Sequence, residues 1–100
     1  MHHRGLTDTP ELYFDSEGDA LIELDRLQPT KPPESQLGSV ARAEQLMRRA
    51  AAGEIPRRGP ITVQRDVASG YVILDGNATY GVARRYGWRA LPANIMKEGS

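Results

Sequence analysis

The chain has 100 residues, 39% of them apolar and 26% charged, with no cysteine and a formal net charge of zero. That length and composition suit one globular domain around one hydrophobic core, and the missing thiols exclude a disulfide scaffold, thiolate catalysis and thiolate metal sites. No apolar run approaches the roughly 20 residues that span a bilayer, and the acidic start does not read as a signal peptide, so the expected location is the cytoplasm, with no membrane partner.

The zero net charge conceals an asymmetry. Residues 1–25 carry seven acids against Arg4, whereas residues 26–100 carry twelve basic residues against six acids. A basic surplus of this kind attracts phosphate or nucleic acid, or it is a solvated surface balanced by an acidic arm. Residues 1–19 show no hydrophobic period and are expected to form a flexible arm outside the domain. Leu12, Tyr13 and Phe14 are its side chains for packing on the domain or on a protein partner.

The first expected element is a strand over residues 20–27, with Ala20, Ile22 and Leu24 on the buried face. Pro29, Pro32 and Pro33 then forbid regular structure. Ser35 or Ser39 is expected to cap the following helix. Val40, Ala43, Leu46, Met47 and Ala50 recur at three- and four-residue steps and form its apolar stripe. Gly53 ends it and Pro56 prevents its return. Arg42 and Arg49, seven residues apart, share another stripe, and Glu44 and Arg48 make a four-residue pair on the surface.

A second strand is expected over residues 61–66, followed by a turn at Ser69-Gly70. The third, over residues 71–74, is short and apolar, reads as central, and runs directly into Asp75-Gly76-Asn77. A second helix begins near Ala78, faces inward through Val82, Ala83 and Tyr86, and stops at Gly87. A last strand over residues 90–96 contains Pro92, which suggests an edge position. Residues 97–100 form a polar tail. The expected fold is thus α+β over residues 20–96: a small mixed β-sheet of about four strands with two main helices.

A strand that passes through a glycine into a helix exposes unsatisfied N–H groups at the positive end of the helix dipole, where an anion is stabilised. Gly76 allows a tight turn and close approach of a ligand. Asn77 and Thr79 add short polar side chains. The plainer alternative is that Asp75 or Asn77 only caps the helix. Asp75 is also a candidate for holding Mg2+ through a phosphate or for acting as a base, and Glu34, in the proline loop, is a candidate for the same cleft. Arg57 and Arg58 read as a solvated loop or a nucleic-acid contact, Trp88 as packing, and Tyr80 as either a base-stacking ring or core.

The wider order sharpens this. A strand, a proline loop, an amphipathic helix and a Gly-Glu-Ile-Pro break lead into Pro60-Ile61-Thr62-Val63. Next comes Tyr71-Val72-Ile73-Leu74-Asp75-Gly76-Asn77-Ala78-Thr79-Tyr80, and the chain closes with Tyr86-Gly87-Trp88 and Leu91-Pro92-Ala93. Over roughly residues 20–96 this resembles the ParB/sulfiredoxin superfamily, in the small version without a DNA-binding domain. The resemblance implies a nucleotide site at Gly76, Asn77, Ala78 and Thr79, helped by Arg42 and Arg49 on the preceding helix and by Lys31 in the proline loop. It implies a nucleoside triphosphate with Mg2+ as ligand, and nucleotide hydrolysis, phosphoryl transfer or nuclease activity as the chemistry.

The chain departs from the two best-known chemistries of the superfamily. Sulfiredoxins carry a cysteine and then His-Arg after the glycine, and partition proteins carry Glu-Arg-Arg; here Asn77, Ala78 and Thr79 stand in those places. Sulfinic-acid repair through a thiolate is thereby excluded. No helix-turn-helix pattern is present, so sequence-specific DNA binding of the ParB kind is not expected. Two other readings stay open: a non-catalytic interaction module, such as a toxin–antitoxin or mobile-element accessory working through the acidic arm, and a nonspecific nucleic-acid binder.

Overall fold

The computed structural model describes residues 6–32, 35–68 and 70–97. Glu34, the Ser69 half of the expected turn, and residues 98–100 of the tail lie outside these residues. The fold is α+β: a mixed sheet of five strands, with two helices packed against each other. The strands are β1 (Ala20–Glu23), β2 (Leu27–Gln28), β3 (Ile61–Asp66), β4 (Gly70–Asp75) and β5 (Ala90–Met96), and the helices are α1 (Leu37–Ala51) and α2 (Asn77–Arg85). No helix among the described residues is long and apolar enough to cross a membrane.

The sheet has one strand more than expected because the segment 20–27 is not one strand. A 3-10 turn over Leu24–Arg26 divides it into β1 and β2. The two halves lie on opposite edges, in the order β1-β5-β3-β4-β2. Glu23 and Leu27 are four peptide steps apart, at most about 14 Å of chain, whereas a flat sheet would hold its edges about 19 Å apart over four strand spacings. The short connection therefore requires the sheet to curl until its edges approach. Leu24 and Leu27 are both buried, and their spacing of three suits the turn better than strand alternation.

β3 and β4 pair antiparallel, β5 lies parallel to β3, and β2 lies parallel to β4. Strand alternation puts Ile22, Ile61, Val63, Tyr71, Ile73, Leu91 and Ala93 on one face. All are buried, together with Met47 of α1 and Val82 and Ala83 of α2. Pro92 suggested an edge, but β5 is an interior strand between β1 and β3. The Ala93 carbonyl accepts a hydrogen bond from Asp19 N, on the β1 side. Alternation then turns the nitrogen of Pro92 towards β3, whose pairing begins only at Ile61 opposite Ala93. The missing N–H therefore falls just outside the ladder.

The expected cap of α1 also differs. Gln36 precedes the helix without a capping side-chain bond, and the Ser35 hydroxyl donates to the Pro32 carbonyl instead, at 2.9 Å. The apolar stripe itself packs as its spacing requires, with Ala43, Met47 and Ala50 buried. Gly81 of α2 lies so near α1 that a Cβ there would come within 2.5 Å of Val40 Cγ2.

Residues 6–19, read from the sequence as an arm outside the domain, are packed into it. Leu6, Tyr13 and Phe14 are core residues. The Tyr13 ring stacks on Trp88 with centroids 5.2 Å apart, and the Trp88 indole N–H donates to the Leu6 carbonyl at 2.8 Å. Two of the arm's carboxylates accept backbone N–H groups: Asp8 from Arg89 at 2.9 Å and Asp19 from Ile95 at 2.7 Å. An aromatic pair of this kind contributes about 0.5–1.5 kcal/mol beyond its buried area, so the arm is part of the core's energetics.

Candidate functional site

The site is built where β4 ends. The pairing of β3 with β4 shifts register between Thr62 and Val63, so Asp75 faces Thr62 while Ile73 faces Val63. Leu74 is the extra residue of this bulge, which takes Asp75 off the buried face of Ile73 and leaves it exposed. Gly76 follows with φ 117°, a conformation costly for any residue with a Cβ. A Cβ there would also come within 2.4 Å of Ile61 Cγ2. Gly76 thus packs its backbone on β3 and turns the chain directly into α2. Among the described residues no side-chain cap bond is made at the start of that helix, so neither Asp75 nor Asn77 plays the simple capping role.

A cleft of about 590 Å3 opens between this turn, α1 and the segment before β3. That volume falls within the range of small-molecule sites. It is walled on one side by Gln36, Ser39, Arg42 and Leu46, at three- and four-residue spacing along α1, and on the other by Asp75, Gly76, Asn77, Ala78 and Thr79. Lys31 and Arg58 complete it. Three cations therefore share the cleft with one described carboxylate, Asp75. None of the three makes an ion pair among the described residues, where Arg48 and Arg85 pair with Glu44 and Arg49 pairs with Glu54.

Arg58 was not among the residues expected at this site; with Arg57 it was expected in a solvated loop or at a nucleic-acid contact. It is half-buried, and its Nη1 donates to Thr79 Oγ1 at 2.8 Å. Its backbone is clamped by the N-terminal segment: Arg58 N donates to the Tyr13 carbonyl at 3.0 Å, and its own carbonyl accepts from Asp15 N at 2.8 Å. Burial holds its guanidinium below its usual range, an effect that the charge of Asp75 partly offsets. It nonetheless stays protonated, since arginine does not lose its charge in proteins. With Asp75 acting through its charge but outside ion-pair distance, this half-desolvated cation would gain from a bound anion. The available signal was positional: Arg58 precedes β3 closely, and antiparallel pairing sets the start of β3 beside the end of β4.

The other expected site residues divide. Lys31, Arg42, Asp75 and Gly76 line the cleft. Thr79 lines it too but is only 5% exposed, and its hydroxyl holds Arg58. Asn77 is committed elsewhere: its Oδ1 accepts from Thr30 N at 2.9 Å, and its Nδ2 donates to Thr30 Oγ1 at 3.0 Å. Arg49 does not line the cleft and is paired with Glu54 at 3.3 Å. The seven-residue spacing put Arg42 and Arg49 on one stripe, but it also separates them by about 10 Å along the helix axis. Glu34 lies outside the described residues. Tyr80 is partly buried against the core and lines a neighbouring pocket of about 740 Å3 between α1 and α2, which shares Lys31, Gln36 and Asn77 with the cleft.

Among the described residues no three His, Asp or Glu side chains gather as a metal site. What the cleft offers chemically is anion binding: fixed N–H groups, a half-buried guanidinium and two exposed cations. Compared with models of protein families and with curated proteins, the chain has no match.

Proposed function

We propose that the cleft binds the phosphates of a nucleotide, most plainly a nucleoside triphosphate with Mg2+. The observation that carries this reading is Arg58, a half-buried guanidinium in no ion pair among the described residues, set beside Lys31, Arg42 and the start of α2. Charge-assisted hydrogen bonds to a phosphate oxygen compensate a desolvated guanidinium better than water does. The resemblance to the ParB/sulfiredoxin superfamily points to the same turn and supplies the nucleotide as ligand class. Mg2+ would enter on the phosphates, with Asp75 as the protein's own contribution to it.

Asp75 is also the one described carboxylate available as a general base, so hydrolysis or phosphoryl transfer would depend on it. Calorimetry with the four ribonucleoside triphosphates and Mg2+ tests the binding reading: saturable heat, lost in Arg58→Ala, is expected, and no heat with any of them overturns it. Phosphate release by the wild-type protein but not by Asp75→Asn would place catalysis on Asp75. The arm-mediated interaction module draws no support from the described arm, because Leu6, Tyr13 and Phe14 are buried in the protein's own core.

A further inference from the structure

We propose that Asn77 and Thr30 form a latch that positions Lys31 over the cleft, so that Asn77 serves the site by holding the chain rather than by touching the ligand. The inference rests on the phosphate reading above. Its geometry is reciprocal and spans 47 residues of sequence: Thr30 N donates to Asn77 Oδ1, and Asn77 Nδ2 donates to Thr30 Oγ1. The same hydroxyl donates to the Ile73 carbonyl at 2.8 Å. Both ends of the Asn77 amide are thereby occupied, and Thr30 ties Ile73, near the end of β4, to the first residue of α2.

The sequence explains why a side chain takes this place. β2 runs parallel to β4 through Leu27 opposite Tyr71 and Gln28 opposite Val72. The next residue, Pro29, has no N–H to extend the ladder. Thr30 then reaches the Ile73 carbonyl with its hydroxyl in place of a backbone donor. Lys31 follows at once and is itself followed by Pro32, which confines Lys31 to extended backbone angles. With Thr30 pinned on one side and Pro32 on the other, the backbone of Lys31 is fixed at the wall common to the cleft and the neighbouring pocket. Only its side chain remains free to meet an anion. Fixing the backbone that carries a ligand-binding cation before the ligand arrives removes part of the ordering cost of binding.

The test is a double-mutant cycle read by calorimetry with inorganic tripolyphosphate, joined to amide hydrogen exchange on the ligand-free protein. Asn77→Ala and Lys31→Ala should each weaken binding several-fold, roughly 3- to 10-fold, and the double variant should bind no more weakly than either single one. Arg42→Ala should add its full factor whether or not Asn77 is present, which separates loss of the latch from general damage to the fold. The Thr30 amide should exchange at least tenfold faster in Asn77→Ala, with protection of β3 and β4 unchanged. Additive effects of Asn77→Ala and Lys31→Ala, or unchanged exchange at Thr30, overturn the proposal. A wild-type protein that binds no tripolyphosphate overturns the phosphate reading and the role of Lys31 with it; faster Thr30 exchange in Asn77→Ala would then still establish the latch as a structural tie.

Discussion

Two clusters of positive charge sit on either side of α1, and they are wired differently. At the contact between α1 and α2, Glu44 accepts from Tyr86 and is paired with Arg48 at 2.8 Å and with Arg85 at 3.4 Å. Every charge there has a partner. At the cleft, Lys31, Arg42 and Arg58 face one carboxylate, and none is ion-paired among the described residues. Arginines are equally plentiful in both places. The difference is whether the described residues supply the counter-charge. A matched cluster fastens two helices, whereas an unmatched one leaves its cations open to an anion, as the proposed phosphate binding requires. Pairing, not abundance, separates structure from site.

The strongest blow to the cleft is Gly76→Ala. The new Cβ would sit in a backbone conformation unfavourable for L residues and 2.4 Å from Ile61 Cγ2. Strain and displacement of β3 together should cost about 2 kcal/mol or more, read as a lower urea midpoint, and phosphate binding should fall with it. A variant as stable as wild type would show that the turn is not tightly packed on β3.

Next in size is Arg58→Ala, which should split stability from binding. The lost bond to Thr79 is offset by removal of a half-buried, unpaired cation, so stability should change by less than about 1 kcal/mol. Nucleotide affinity should nevertheless fall about tenfold or more, equivalent to about 1.4 kcal/mol. A drop in stability without a drop in affinity would move Arg58 to the matched class and break the comparison.

Legibility in the sequence follows the same line between local and distant causes. β3 and β5 are read with their observed limits, and α1 with its buried stripe, because two- and three-to-four-residue periods are local. The break between β1 and β2 was missed because Ala20, Ile22 and Leu24 alternate as one strand would; only the burial of Leu27, on the wrong face for that strand, reveals the turn. The arm was missed because its partners, Trp88, Arg89 and Ile95, come from the other end of the chain. At the site, Gly76 was singled out by its turn, and Lys31 and Arg42 by the resemblance; the structure brings all three to the wall of one cleft. Arg58 was not singled out, since an arginine beside Arg57 in a loop looks solvated until the arm and Thr79 are seen to hold it. Asn77 and Thr79 were placed correctly in the chain, but both side chains bond within the protein, to Thr30 and Arg58.

Glu44→Gln tests the matched cluster and should give the mirror image of Arg58→Ala: affinity unchanged, stability lower by about 1 kcal/mol at neutral pH. Burial raises the Glu44 pKa, but the hydrogen bonds from Tyr86 and Arg48 and the charges of Arg48 and Arg85 outweigh it and hold the carboxyl below its ordinary range. A lowered folded pKa contributes stability above the ordinary carboxylate pKa, and the contribution is lost as pH falls through the folded value. The gap between wild type and Glu44→Gln should therefore close in acid. Tyr86 titrates the other way. Its bond to Glu44, and then burial, push its pKa up, so its contribution is present at neutral pH and lost as pH rises through the tyrosine range, a loss that Tyr86→Phe should not show.

The smallest effect sharpens the boundary between the clusters. Arg49 lies on α1 two turns beyond Arg42 but is exposed and paired with Glu54. An exposed pair of this kind contributes little, and Arg49 does not line the cleft. Arg49→Ala should change nucleotide affinity less than twofold and stability by less than about 0.5 kcal/mol. An Arg49→Ala defect as large as that of Arg58→Ala would mean that the ligand runs along α1 and exchanges the Glu54 carboxylate for its own anion. Pairing in the free protein would then be a competitor for the site rather than a sign that none is there.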